Sequence, residues 1–439
     1  MRVLKTLLCF AIATAAAGSV AAQPLVLTFE RIFDADSLGF GGDSFDNPSV
    51  DDSGNVAAEI SEDIYAMVDG QLRGIAVVGE TGYPEDDTIL LELTDDHVEI
   101  SNGRVAFEGR FALERGGTED VLMLGDGIDL VAILAENFTE VPGEPKGTIF
   151  TGFGIGEGFG TDGTRVALEG RWPDMDRGTT LWGLFLWDGS ELTQIVRRDD
   201  ASVGFFRNFD NAMPDANGSA IVFVVDRDLG ERGVSFEELY LYDGGELNLL
   251  LSEGDPMVGR GVSIDFIGEP DIDGGRVVVS VGGPGGERAI YLIENGEITV
   301  VVEDTTALPG IDGSFEISTA GWAGIGGYTV GFGVSHDNGD SDTIFLWRDG
   351  SLQRVLGTGD VLDGSVVTGF TETNRPFMAN GYMALSPTLE DPLRGRALGT
   401  VYRVAFRPES VLEVPTPAVS IALLLALALA GVVTIRRLA

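Results

Sequence analysis

Apolar residues along this chain fall into short alternating runs, and each run is bounded by glycine paired with Asn, Asp, Ser or a second glycine. One such element, a turn pair followed by a short apolar strand, recurs seven times: "SGNVAAEI" from Ser53, "NGRVAFEG" from Asn102, "DGTRVALEG" from Asp162, "NGSAIVFVV" from Asn217, "GGRVVVSV" from Gly274, "GGYTVGFGV" from Gly326 and "NGYMALSP" from Asn380. After each of the first six comes a second element of strand, tight turn and strand, as in "IYLIENGEITVVV" and "LYLYDGGELNLLL". Asn-Gly and Asp-Gly pairs accept the positive φ of two-residue hairpin turns, so these segments predict hairpins. A further strand precedes each new unit, for example "SIDFIGEPDI". The pattern is therefore four strands per unit of about 55 residues, with no convincing helix.

Seven four-stranded units of this length predict an all-β fold, a seven-bladed β-propeller over residues 23–414. Blades packed around an axis bury both faces, which accounts for nearly continuous apolar strands such as "VAILA" and "ITVVV". A string of separate β-sandwiches would need units of about 100 residues. The N-terminal stretch "LVLTFERIFDADSLGFGGDSFDNPSV" aligns with the second half of a unit, whereas "NGYMALSP" and "VYRVAFRPESVLEV" supply only a first half. Closure of one blade by strands from both termini follows, and it would remove the open sheet edges.

The two ends break the pattern. Residues 1–22 carry Arg2 and Lys5, an apolar core and small residues before a cleavage point between Ala22 and Gln23, the layout of a secretory signal peptide. The single cysteine, Cys9, lies inside it, so an exported mature chain would have neither disulfide nor thiol nucleophile. At the other end, Ala418 to Ile435 is an acid-free apolar run, about 27 Å long as a helix and just enough to cross a bilayer core. Arg436 and Arg437 follow, and such a pair stays on the cytoplasmic side. Residues 415–439 thus contact the membrane at least transiently, either as a permanent anchor or as a segment removed after export.

Two resemblances sharpen this outline. Val414, Pro415, Thr416 and Pro417, followed by the apolar run and the Arg pair, resemble the bacterial PEP-CTERM sorting signal, with Thr416 in place of the usual Glu. That resemblance implies an exosortase-type processing enzyme as partner and delivery to the cell surface or the exopolysaccharide matrix. The repeats resemble bacterial tandem-repeat proteins with an NxxGxxAF signature, best matched by Gly103, Ala106 and Phe107. No activity comes with that group.

Charge narrows the partners. The chain has 70 acidic against 28 basic residues and a formal net charge of −42, and four of the basic residues lie in the two end segments. Nucleic acid and anionic lipid surfaces are repelled by such a chain. With only His97 and His336, in different units, a histidine-based triad or histidine-rich metal centre is not expected. Asp337, Asn338, Asp340 and Asp342 lie within "SHDNGDSDT" and could offer oxygen ligands to Ca2+, though without EF-hand spacing. Trp172, in "RWPDMDRG", is the tryptophan read as an exposed sugar-stacking candidate. "TGFGIGEGFGTDG" has no dinucleotide-binding register and reads instead as a place where a neighbouring blade approaches. The sequence thus describes an exported binding or structural module whose partners are exopolysaccharide or a surface protein. The alternative is an extracellular glycosidase or lyase using carboxylates at the propeller mouth.

Overall fold

The structure is a computed structural model that describes residues 25–40, 45–83, 88–94, 98–112, 117–153, 159–174, 177–197, 206–214, 220–228, 235–317, 323–336, 341–370, 377–391 and 396–408. Its strands form antiparallel sheets in an all-β propeller. Six sheets are each cut from one run of chain: 46–76, 90–135, 152–197, 206–252, 266–303 and 315–357. A further sheet is composite. In it Leu25–Asp34 pairs antiparallel with Arg396–Pro408, from Leu25 opposite Pro408 to Asp34 opposite Thr400. The closure by both termini that the repeat alignment predicts is therefore observed. Gln353 of the preceding sheet clamps the entering strand: its Oε1 accepts from Leu25 N at 2.8 Å and its Nε2 donates to Leu25 O at 2.9 Å.

The expected turns form for the expected reason. Asn102-Gly103 and Asn295-Gly296 both have positive φ at their two positions, 50° and 72° in the first and 52° and 78° in the second. Such turns match the twist of the strands they join. One element was not foreseen, a single helical turn at Ala35–Leu38, whose N-cap Asp34 accepts from Asp36 N and whose C-cap Gly39 has φ 92°. Four residues carry no periodicity that sequence inspection could detect.

Each hydrophobic core cluster joins two consecutive sheets. Phe107 and Met123 of the second sheet pack with Ile64 and Ile75 of the first, while Leu122 and Leu124 on the opposite face of the second pack with Phe159 and Leu168 of the third. The series continues through the third and fourth sheets, the fourth and fifth, the fifth and sixth, and the sixth and composite sheets. It returns with Phe33, Ala384 and Val401 packed on Val56 and Ala58. Every sheet is thus buried on both faces, as its apolar runs require.

The innermost strand of each sheet is irregular at one shared level. Leu93 and Glu99 are six positions apart, where their partners Gly109 and Ala106 are three apart. Similar excesses occur between Phe153 and Phe159 and between Ile317 and Ala323. Smaller bulges interrupt Asp46–Ser49, Asp210–Met213 and Ile267–Pro270. These insertions shorten the regular pairing of the strands nearest the axis and were not visible in the repeat alignment.

Candidate functional site

Carboxylates converge where the inner strands turn outward. Asp51, Asp52, Glu99, Asp271 and Asp273 line one axial cavity of about 90 Å3 together with Ser101, Asn102 and Thr161. Small-molecule pockets usually run to roughly 300 Å3 or more, so this cavity admits a few waters and no sugar ring.

The acids are there because the inner strand is an edge. Its axis-facing N–H groups have no ladder partner, and a buried donor without an acceptor is costly. The neighbouring sheet supplies the acceptor. Glu99 Oε2 accepts from Thr161 N at 2.7 Å, and Asp271 Oδ2 accepts from Ile325 N at 2.8 Å. Glu99 and Asp271 stand four residues before Gly103 and Gly275, and their donors stand two before Gly163 and Gly327, so one linkage recurs at two places in the ring. Asp273 accepts from Gly327 N, and Asp52 Oδ1 accepts from Asn380 N at 2.7 Å across the closing seam. Asn102 Nδ2 donates to Asp162 O at 2.8 Å.

Asp51 is the most heavily engaged. It is 3% exposed, and its two oxygens accept from Ser53 N, Asn55 N and Asn55 Nδ2, each at 2.9 Å, and from Gly103 N at 2.7 Å in the next sheet. Glycine lets the sheets approach elsewhere at this level. A Cβ on Gly163 would lie 2.2 Å from Ser101 O, and one on Gly326 would lie 2.0 Å from Ala379 O. The alternating glycines read as such an approach are not what makes it: Gly152 meets Arg171 of its own sheet, Gly154, Gly156 and Gly158 lie outside the described residues, and the contact is made by the turn glycine Gly163.

A different acid has unusual chemistry. Glu119, on the third strand of the second sheet, is 8% exposed, and burial together with Glu136 and Asp120 pushes its carboxyl up to about 7. Asp120 is held by Arg110, with Nε to Oδ1 at 2.6 Å and Nη2 to Oδ2 at 3.1 Å. Burial also raises Glu136, assisted by Asp120 and opposed by Arg171 and Arg110. Sequence inspection missed this group because a hairpin brings Glu136 to it from a separate strand.

The sequence-based candidates fare as follows. Trp172 is corrected: it lies within strand Val166–Asp174, is 0% exposed, and packs edge-on against Phe150 and Phe185 at centroid distances of 6.3 and 5.7 Å. It is core and offers no face to a sugar. Of the four calcium candidates, Asp342 lies in strand Ser341–Arg348, where its Oδ1 accepts from Ser335 Oγ at 2.6 Å. Asp337, Asn338 and Asp340 lie outside the described residues. No group of three or more His, Cys, Asp or Glu able to hold a metal ion occurs among the described residues. His336 Nε2 sits 3.1 Å from Thr343 Oγ1, and His97 lies outside the described residues. So do Ala22, Gln23, Val414, Pro415, Thr416, Pro417, Arg436 and Arg437. Among the described residues, no helix is long and apolar enough to cross a membrane.

No curated protein matches the chain in sequence. Among solved structures, the Pyrococcus horikoshii acylaminoacyl peptidase is 15% identical with a TM-score of 0.45, covering 85% of this chain and 53% of its own. The chain thus spans about half the length of that peptidase. The β-propeller domain of the trilobed protease from Pyrococcus furiosus is 12% identical with a TM-score of 0.31, over 70% of this chain and 92% of that one. The polysaccharide lyase Uly1 is 9% identical with a TM-score of 0.40, over 83% and 90%. At these identities the likeness concerns the fold alone. In sequence, residues 49–381, from the first inner strand to the turn of the composite sheet, match a family of unknown function (DUF7453), and the chain belongs to that family.

Proposed function

We propose that the chain is an exported seven-bladed propeller, counting the composite sheet as a blade, that serves as a binding or structural module of the cell envelope or exopolysaccharide matrix. The observation that carries this reading is the use made of the axial carboxylates. Asp51, Glu99, Asp271 and Asp273 accept hydrogen bonds from backbone N–H groups of adjacent sheets, so these acids are spent on holding the ring. The cavity they enclose is smaller than a sugar. Such a molecule offers a partner a rigid surface, acidic over most of its area and open to recognition where cationic groups gather.

Delivery follows from the two ends. The signal segment is cleaved between Ala22 and Gln23, the apolar run halts in the inner membrane with Arg436 and Arg437 inside, and an exosortase-type enzyme processes the chain at Val414–Pro417. Peptide mapping of the mature surface protein from its native host tests this. Loss of the peptide spanning Ile421 to Ile435 is expected, and its recovery leaves only a permanent anchor. Pro415→Ala with Pro417→Ala should accumulate unprocessed precursor.

A glycan array run beside a reducing-sugar release assay tests the module itself: retention without release is expected. The enzyme alternative, placed at the propeller mouth by the sequence, would have to move to Glu119 on the third strand of the second sheet, a carboxyl 8% exposed that burial pushes up to about 7. Sugar release that Glu119→Gln abolishes would establish that alternative and end the module reading.

A further inference from the structure

The sixth sheet and the composite sheet leave a groove of about 430 Å3 between them at the face where the inner strands turn outward. Tyr328, Tyr382, Arg348, Arg407 and Asn380 line it, with Asp52 as its one carboxylate. Its volume falls within the range of small-molecule sites.

The groove reverses the character of the rest of the molecule. In a chain with 70 acidic and 28 basic residues, most described guanidinium groups hold a carboxylate, although Arg104, Arg171 and Arg288 turn to a carbonyl or a ring instead. Arg31, Arg110, Arg165, Arg260 and Arg354 all hold one within hydrogen-bonding reach. Arg348 approaches only the exposed Asp349, at 3.7 Å, and no described carboxylate pairs with Arg407. Asp52, meanwhile, is turned to the backbone of Asn380. Two cationic forks therefore line a concave surface, Arg348 with only the exposed Asp349 as an ion-pair partner among the described residues and Arg407 with none.

The aromatic groups complete the pattern. Tyr328 is 63% exposed and stacks with Arg276, whose guanidinium carbon lies 4.0 Å from the ring centroid. Tyr382 stacks in the same way with Arg403 at 5.6 Å. Stacking on a guanidinium fixes a ring that would otherwise swing in solvent. A fixed tyrosine presents an apolar face with a polar edge, which suits the C–H face of a pyranose, while a planar guanidinium matches a carboxylate.

The geometry points to this groove as the binding site for a carboxylated sugar, the uronic acid units of an acidic polysaccharide, with Arg348 and Arg407 holding the carboxylate and Tyr328 stacking on a ring. The inference rests on the binding-module reading and gives it a place and a ligand class.

Titration of the mature chain with an oligogalacturonate and with a neutral galactose oligomer of equal length tests it. The wild type should hold the uronate oligomer in preference. Arg348→Gln with Arg407→Gln should weaken that binding about tenfold or more, since a charge-assisted hydrogen bond contributes at least a factor of that order. Tyr328→Ala should weaken both oligomers, and all variants should melt with the wild type because the altered side chains are surface groups. Unchanged affinity in the double variant overturns the proposal, as does equal binding of the neutral oligomer. Displacement by sulfate or by poly-glutamate as readily as by the uronate would reduce the groove to a general anion site or a peptide site, and would also overturn it. Failure to hold the uronate while another glycan on the array is retained sinks the groove and leaves the binding-module reading intact.

Discussion

Replacing Asp51 by Ala should weaken the ring more than replacing its neighbour Asp52. Asp51 accepts four hydrogen bonds, and the donors Asn55 N, Asn55 Nδ2 and Gly103 N are buried. Each buried donor left without an acceptor costs about 1–3 kcal/mol, offset in part because an anion no longer has to be desolvated. These losses share one side chain and are not additive, so about 3–5 kcal/mol is expected. For a folded ring of roughly 380 residues the unfolding entropy is about 0.8 kcal/mol/K, which turns 4 kcal/mol into a fall in Tm of about 5 °C. Asp52, whose bond to Asn380 N lies at the exposed rim, should cost about 1 kcal/mol and roughly 1 °C. Calorimetric melting of both variants, with circular dichroism to verify the sheet content, is the assay. If Asp51→Ala melts together with Asp52→Ala, the axial acids do not hold the ring and the principal support for the module reading is lost. Asp51→Asn, which keeps an acceptor oxygen but loses the charge, should fall between the two.

Deleting Leu25–Asp34 uncovers Val401, Val404 and Phe406, now at most 3% exposed, and leaves an open strand edge; the shortened chain should self-associate by size-exclusion chromatography and melt well below the full one. Because the Glu119 carboxyl lies at about 7 in the fold against an ordinary 4.5, the native state binds the extra proton between those values. Stability from this group therefore declines as pH rises through that window and is flat above it. Glu119→Gln should accordingly melt a few degrees above the wild type at pH 8 and show no gain at pH 4, and a gain of equal size at both pH values would rule out titration as the cause. Trp172→Ala should cost about 3–5 kcal/mol through the cavity left against Phe150 and Phe185, read as a lower melting temperature with glycan binding per folded molecule unchanged.

The hairpins and the closing seam were legible because their signals are local or repeated. Asn102-Gly103 and Asn295-Gly296 announce their turns within two residues, and "LVLTFERIFD" matches the later halves of other units. Trp172 was misread because Pro173 and Asp174 resemble loop residues. Yet Val166, Leu168, Gly170 and Trp172 fall on one face by simple alternation, and the pairing with the next strand runs on to Asp174 opposite Thr179. The small glycine in third place hid that continuity. The axial acids were illegible for another reason. Glu99 and Asp271 look like two of many scattered acids until folding sets each beside a backbone donor more than 50 residues away, in a sheet the sequence names only by repetition. Arg348, Tyr328 and Arg407 likewise share a groove only once the two termini have met.

The composite sheet also decides how the molecule bears load. Arg396–Pro408 lies between Leu25–Asp34 on one side and, on the other, the successive strands Tyr382–Leu385 and Pro387–Asp391, each paired with it. A pull on the chain beyond Pro408 runs along this strand, parallel to its length, and draws on both ladders at once, so their bonds must slip together instead of parting singly. A pull from the N-terminal side acts on a strand with a single ladder, where the bonds can fail in sequence from Leu25 inward. A body tethered by its C-terminal end in flowing medium would thus be held by its mechanically stronger strand.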